Sequence, residues 1–425
     1  SAMISLTPAK ITDPKSLQTE LYRIAEICHG CRRCFSLCPS FEVLFKGLDT
    51  DEVDGDAEKL PKKVLDDFVD LCYECKICVS PAQCPYVPPH KWMLDIPHAV
   101  LESRRFRMQE QGLSMREKLL TKPDRIGKMS RPVASVANFV NTLPMARWAM
   151  EKTLGVHREK ALPSFVWENF TRWFEKRGGS KVKDPVAKVV LFPTCTVEWN
   201  RPEIGKAAVQ VLEASRVEVQ VDYPHCCGMP FFDVGDFDAA RKAREGMVGA
   251  LKGWVEKGYK VVTPGPSCSL MMKKEYPWLA PDDADTKALA GAARDLCEFL
   301  MELKQEGKLN LDFPTPPKSV AYHLPCHLNV QRIRFKASDL LALTGAQVTT
   351  VEKCSGHDGT WAMKVEYFEE SMKVGKKLFD PLLAADAEVI ASDCALAGVQ
   401  IPQGTSRPVK HPVEVLRDAY GLAPA

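Results

Sequence analysis

Two cysteine runs, each ending in proline, constrain this chain more than any other feature. The first is Cys28, Cys31, Cys34 and Cys38 before Pro39, and the second is Cys72, Cys75, Cys78 and Cys84 before Pro85. The first run follows the C-x2-C-x2-C-x3-C-P pattern that holds a cubane 4Fe–4S cluster. Two residues between thiolates let a tight turn aim three sulfurs at three irons, and a remote fourth sulfur closes the last corner. The second run has five residues, VSPAQ, before Cys84, so its loop is longer with the same chemistry. Paired runs exchange their fourth cysteine. The expectation is therefore one cluster on Cys28, Cys31, Cys34 and Cys84, and a second on Cys72, Cys75, Cys78 and Cys38. Zinc and disulfides are the competing readings, and neither commonly uses four cysteines spaced in this way.

At 425 residues the chain has length for two or three domains with buried cores. A formal net charge of +2 gives no global pull toward nucleic acid. Sixteen cysteines without a secretory leader favour metal thiolates in a reducing cytoplasm over disulfides. No apolar stretch of about twenty residues is present to span a bilayer. Neither a G-x-G-x-x-G fingerprint nor a phosphate-binding G-x-x-x-x-G-K-[ST] loop occurs, so nothing is built to hold a flavin or nicotinamide. Electrons handled here would come from another chain.

The predicted organisation has four parts. Residues 10–100 form a helical two-cluster domain, with short helices at Ser16–Glu26 and Val64–Leu71. The acidic stretch Asp49–Glu58 fails as a calcium loop, because aligning Gly55 to the turn puts Pro61 where the closing glutamate belongs. Residues 101–184 form a basic helical linker: Leu101–Lys160 carries thirteen Lys/Arg against six Asp/Glu, a net of +7. Within it, Pro132–Met150 carries one charge, Arg147. Two readings stand for that segment: a helix packed between domains, or an in-plane amphipathic helix on anionic lipid at the inner face of the cytoplasmic membrane.

From residue 185 the pattern is β then α, twice over, across 185–316 and 317–425. Strands are predicted at 187–192, 217–221 and 260–264, then at 319–324, 347–352 and 388–392. Helices are clearest at Pro202–Ser215, Phe237–Lys257 and Lys364–Leu378. The fold class is thus α + α/β, with two duplicated halves built on mostly parallel sheets. Ligands collect beyond the carboxyl ends of such strands. Cys195, Cys226, Cys227 and Cys268 fall there in the first half, and Cys326, Cys354 and Cys394 in the second.

The motifs around these thiols are PTCTVEW, HCCGMP and PGPSCS in the first half, and HLPCHL, KCSGHDG and SDCALAG in the second. A cysteine, then Cys-Cys-Gly, then Cys-x-x-Cys, duplicated, resembles the CCG domains of heterodisulfide-reductase-like iron–sulfur proteins. With a two-cluster ferredoxin module ahead of it, and the stretch LPSFVWENFTRWF between, the chain resembles the iron–sulfur C subunits of anaerobic glycerol-3-phosphate dehydrogenases. The resemblance covers nearly the whole chain. It implies a non-cubane 4Fe–4S cluster where all five cysteines of a half are present, acting on disulfides or relaying electrons to quinone.

This chain departs from that pattern in both halves. Gly265 replaces a cysteine of the first, leaving four thiols, enough for a cubane or for zinc. Ser355 and Ala397 replace cysteines of the second, leaving three thiols and an incomplete shell for a further metal. His357, which stands where the family carries an apolar residue, is the candidate fourth ligand or proton donor, with Asp358 to orient its ring. His323 and His327 flank Cys326 either as ligands or as residues that shape the loop, and Asp393 precedes Cys394. Cys297, in the apolar pattern LCEFLMEL, reads as a core residue.

The function implied is an electron-relay subunit between a flavoprotein dehydrogenase, oxidising a small hydroxy-substrate, and membrane quinone. Two alternatives remain: a reductase of disulfides or small oxidants acting at the second CCG site, and a soluble redox partner of a rubrerythrin-like di-iron protein.

Overall fold

The computed structural model describes residues 6–8 and 10–425. By its contacts the chain divides into two compact units, Ser1–Glu117 with Phe231–Phe237, and Lys118–Pro230 with Asp238–Ala425.

The first unit is helical. Its helix Pro14–Cys31 starts at Asp13, whose carboxylate accepts from the Lys15 and Ser16 amides in a capping box. Leu17, Leu21, Ile24, Ala25 and Cys28 recur on one face and are buried. Arg32, in the left-handed region at φ 51°, ends the helix. The next helix, Pro39–Leu48, begins on the proline that closes the first cysteine run, with Cys38 extended as its N-cap. Proline suits that place because the first helical residue has no amide partner to lose. Phe41, Leu44, Phe45 and Leu48 pack with Phe68 of the helix Lys62–Asp70 and Val100 of the helix Ile96–Gln111 in one core.

The second unit contains two four-stranded sheets. β1 (Ala187–Leu191), β2 (Val217–Val221), β3 (Lys260–Thr263) and β4 (Ala293–Asp295) form the first, in order β2-β1-β3-β4. β5 (Ser319–His323), β6 (Gln347–Val351), β7 (Val389–Ser392) and β8 (Val409–Lys410) form the second, in order β6-β5-β7-β8. All strand pairs in the two sheets are parallel. The duplication extends to register: Ala187 pairs with Val217 through to Leu191 with Val221, and Ser319 with Gln347 through to His323 with Val351. The central strands are near-continuous apolar runs, as parallel strands covered on both faces require. In each sheet the strand order reverses between the two central strands, β1 and β3 or β5 and β7, the point at which such folds place ligands. One core, from Phe170 through Leu191, Leu296 and Tyr322 to Leu416, runs through both halves.

The six predicted strands are present, and β4 and β8 add an edge strand to each sheet. The segment 132–150 differs from either expectation of one helix. A short 3-10 turn at Arg131–Val133 leads into the helix Ala134–Val140, then a turn, then the helix Pro144–Leu154. Pro144 explains the break: it restricts Leu143 to the extended region and opens a new first turn.

Candidate metal centres

In the first unit, Cys28, Cys31, Cys34 and Cys84 line one cavity, with Gln83 and Tyr86 beside them. Cys28 and Cys31 close the helix Pro14–Cys31, and Cys34 lies one turn further on. The Gln83 amide donates to the Cys34 sulfur at 3.5 Å. Burial, then Cys34, Cys84 and Cys31, push the Cys28 thiol well above its ordinary value. Cys78 reaches the same wall, but the thiols acting on it most strongly are Cys72 and Cys38. Cys75 sits between Glu74 and Lys76, both in the left-handed region at φ 53° and 59°. Non-glycine residues hold that conformation only where their surroundings impose it.

Charge is concentrated round this second group. The Cys72 thiol lies 3.6 Å from the Glu74 carboxylate, whose pKa is raised by burial against the pull of Arg104 and Lys76. Arg104 donates to the carbonyls of Cys72, Val69 (3.2 Å) and Asp233 (2.8 Å). Lys76, almost wholly buried, lies 5.1 Å over the Phe232 ring. The donor set fits iron–sulfur clusters. Converging thiols buried from water are costly to ionise alone, and metal binding is what makes their thiolates stable.

In the second unit, the four thiols of the first half form a buried chain. Cys227 Sγ is 3.3 Å from Cys268 Sγ, and Cys195 is pushed well up by its hydrogen bond with Cys226 and by burial. Asp124, from the helix Pro123–Ser130, braces them. It accepts from the Cys226 amide (2.6 Å), the Tyr223 hydroxyl (2.5 Å) and the Trp199 indole (2.9 Å). Tyr276 donates to the Cys227 carbonyl at 2.6 Å. Thr194, before Cys195, holds φ 77°, a genuine outlier for a β-branched residue. A Cβ on Gly265, where the family has its further cysteine, would lie 2.8 Å from Thr194 Cγ2.

The second half brings Cys326 together with Cys354 and Cys394, which act on it electrostatically along with Asp358. The Gly356 amide donates to Cys354 Sγ (3.3 Å) and the Ala397 amide to Cys394 Sγ (3.5 Å). Burial pushes Cys394 up to about 11. His357 is wholly buried and neither ring nitrogen makes a hydrogen bond of good geometry. Asp358 therefore does not hydrogen-bond to the ring as expected. Burial and then Lys160 hold His357 well below the ordinary histidine range. Lys160 is itself buried, brought down to about 7, and donates to the side-chain oxygens of Gln400 and Gln403. His323 is engaged by the Ser392 hydroxyl (2.8 Å) and His327 by Ser267 (2.9 Å), which supports their reading as loop-shaping residues. Asp393 turns away from these thiols: its oxygens accept from Cys297 Sγ (3.1 Å) and the Tyr322 hydroxyl (2.6 Å).

Sequence reading missed Arg104 and Asp124, each in a charged helical stretch, and Lys160, in the irregular segment after the helix Pro144–Leu154, because nothing local sets them apart. Another surface was half seen. Val133, Val136, Phe139, Val140, Leu143, Met145 and Trp148 are all exposed, Met145 at 81 % and Phe139 at 64 %. Seven large apolar side chains in sixteen residues, flanked by Lys122, Arg125, Lys128 and Arg131, go beyond scattered surface hydrophobes. Among the described residues no helix is long and apolar enough to cross a membrane.

Comparison with known proteins agrees with this geometry. Residues 20–111 match the 4Fe–4S dicluster domain, and 189–273 and 320–401 match the cysteine-rich CCG domain twice. The chain is 28% identical over 326 residues to the C subunit of anaerobic glycerol-3-phosphate dehydrogenase of Escherichia coli strain K12, covering 75% of this chain and 81% of that protein. It is 30% identical over 220 residues to lactate utilization protein A of Bacillus pumilus, covering 49% of this chain and 87% of that protein. Bacillus thuringiensis lactate utilization protein A is 27% identical over 219 residues, with the same coverage. A dicluster module ahead of two cysteine-rich halves, with thiols gathered at their strand ends, makes the chain a member of the CCG-domain iron–sulfur family.

Proposed function

We propose that this chain is the iron–sulfur relay subunit of a dehydrogenase, taking electrons from a flavoprotein partner and passing them to membrane quinone. The observation that carries the reading is the convergence of Cys28, Cys31, Cys34 and Cys84 on one cavity, with Cys38, Cys72 and Cys78 acting on one another, on the same chain as two CCG halves. Cys28, Cys31, Cys34 and Cys84 would hold one 4Fe–4S cluster, and Cys72, Cys75, Cys78 and Cys38 the other. Cys195, Cys226, Cys227 and Cys268 would hold a further cluster, with zinc the alternative for four thiolates. When bound, such clusters supply one-electron redox chemistry.

The chain's own residues then do three things. Burial by Phe45, Leu94 and Ile96 keeps water from the first thiol group. Arg104 and Lys76 offset negative charge at the second, which favours the reduced state there. The exposed apolar face between residues 133 and 148, with its basic border, suits an anionic membrane surface and sets the chain beside its quinone acceptor. The Escherichia coli relative is named as a dehydrogenase subunit, which supports a dehydrogenase partner, and the partner proposed here is a flavoprotein one.

The test is anaerobic co-purification of the untagged chain from its native membranes, followed by reduction with the co-purified dehydrogenase and its hydroxy-substrate. Bleaching of the iron–sulfur absorption, reversed by a soluble quinone, supports the relay. A chain that purifies alone and is not reoxidised by quinone contradicts it.

A second reading is favoured by the second CCG site: a reductase of disulfides or small oxidants at Cys326, Cys354 and Cys394. Three thiols would leave a coordination position open, as catalytic metal sites do, and the buried His357 imidazole follows Cys354 by three residues with the buried Lys160 amine acting on it. Turnover of a disulfide by the isolated chain with a chemical reductant, lost in His357→Ala and Lys160→Met, would establish it. A chain inert to disulfides would dismiss it.

A further inference from the structure

A polar cluster with no role in the relay lies in the core shared by the two CCG halves. The helix Leu296–Gln305 starts directly after β4 with Asp295 as its N-cap. Asp295 Oδ1 accepts from the Cys297 amide at 3.0 Å, and its buried Oδ2 has no partner. Cys297 Sγ is 3.1 Å from Asp393 Oδ1, and Tyr322 occupies Asp393 Oδ2. One donor atom from each of Asp295, Cys297 and Asp393 lies within 4.8 Å of the others. Exposure of the three residues is 1%, 0% and 1%.

Two further buried groups point to a missing occupant. Thr263 is the ladder partner of Asp295 across β3 and β4, and its Oγ1 has no hydrogen bond. His411, the N-cap of the helix Pro412–Ala419, accepts from the Val413 amide through Nδ1. Its Nε2 makes no hydrogen bond of good geometry, with the Pro264 carbonyl in its vicinity, and Asp393 is the anion that acts on it most strongly. Buried polar atoms are nearly always paired, so three orphans around two carboxylates and a thiol call for an unseen ion. The nearby cation Lys273 does not balance the charge, since it is held by Glu298 at 2.7 Å.

We propose that Asp295, Cys297 and Asp393 bind one zinc ion, with the His411 imidazole available as the fourth donor. Carboxylate, thiolate and imidazole are the zinc ligand set, and tetrahedral bonds of about 2.0 and 2.3 Å put neighbouring ligand atoms roughly 3.5 Å apart. Cys297 Sγ and Asp393 Oδ1 at 3.1 Å, and the 4.8 Å bound on all three donor atoms, are compatible with that value. Zinc here is closed off from solvent. Its role is to tie the first half, through β4, to the second half, through the residue after β7.

The test uses the full-length protein, expressed with zinc in the medium and purified anaerobically. Zinc, iron and acid-labile sulfide are measured in the wild type and in Cys297→Ala and Asp295→Asn. The proposal expects about one zinc per chain at this centre, reduced roughly tenfold or more in both variants, with iron and sulfide unchanged. Zinc absent from the wild type, or retained in both variants, overturns it and leaves a pair of carboxylates sharing a proton. Where the variants also lose iron, zinc-edge X-ray absorption of the wild type decides. One sulfur with oxygen and nitrogen neighbours supports the site, and a shell of four sulfurs overturns it by placing the zinc on the Cys195, Cys226, Cys227 and Cys268 thiols.

Discussion

Gly228 follows the paired thiols Cys226 and Cys227 at φ +90°, and a Cβ there would lie 2.8 Å from that of Ala243. Both the backbone and the packing therefore demand glycine. Gly228→Ala is expected to destabilise the full chain by about 2–3 kcal/mol, read as a lowered urea midpoint, and to release metal from the first CCG site. If the second thiol group holds a cluster, the charged side chains round it would tune its potential. Lys76→Met should lower the midpoint potential of the cluster held by Cys72 and Cys78, and Glu74→Gln should raise it. Redox titration followed by electron paramagnetic resonance reads both, and shifts of the same sign would refute the assignment. Burial holds His323 at about 4, below its ordinary 6.5. The unfolded chain then binds the extra proton between those values, so stability is full above pH 6.5 and falls as pH drops toward 4. At pH 5 the loss is about 2 kcal/mol, and His323→Gln should flatten the fall in urea midpoint between pH 7 and 5. Cysteines were legible in the sequence because their spacing is itself the signal. Asp124 and Lys160 were not, because their significance comes from burial against residues far along the chain.

Among the elements, the long helices and the six strands β1–β3 and β5–β7 were legible because their patterns run over four or more residues. β4 and β8 were not, at three and two residues, with helix patterns starting directly after them. Their ends nonetheless place Asp295 and His411 at matching positions of the two halves. The two short helices Ala134–Val140 and Pro144–Leu154 present apolar side chains to solvent, and a lipid surface is the occupant their basic border favours. Wild-type protein should co-sediment with vesicles containing anionic phospholipid. Phe139→Asp with Trp148→Asp should abolish this at all salt concentrations, because the apolar contact is lost. Raising salt from about 0.05 to about 0.5 M should weaken wild-type binding without eliminating it, as the Debye length contracts. Binding unaffected by the double substitution would show that this face does not meet lipid.

For the whole molecule, duplication is the organising fact. Two sheets with the same strand order and the same five-residue registers put thiols at equivalent strand ends, and replacements at Gly265, Ser355 and Ala397 have made the two sites unequal. The duplicated CCG architecture was readable from sequence because its motifs recur in order. The shared core, and the polar cluster at its centre, were not, since they arise from packing one half on the other. The relay reading rests on two 4Fe–4S clusters with exchanged fourth ligands on the amino-terminal thiols, feeding the rest of the chain. Electron paramagnetic resonance of the anaerobically purified, reduced full-length protein, quantified beside iron and acid-labile sulfide, tests it most directly. About eight irons are expected from the amino-terminal pair, with two magnetically interacting signals, Cys84→Ala perturbing the cluster of the first run and Cys38→Ala that of the second. A colourless protein containing only zinc, or a Cys84→Ala variant that perturbs the second-run cluster instead, would contradict it.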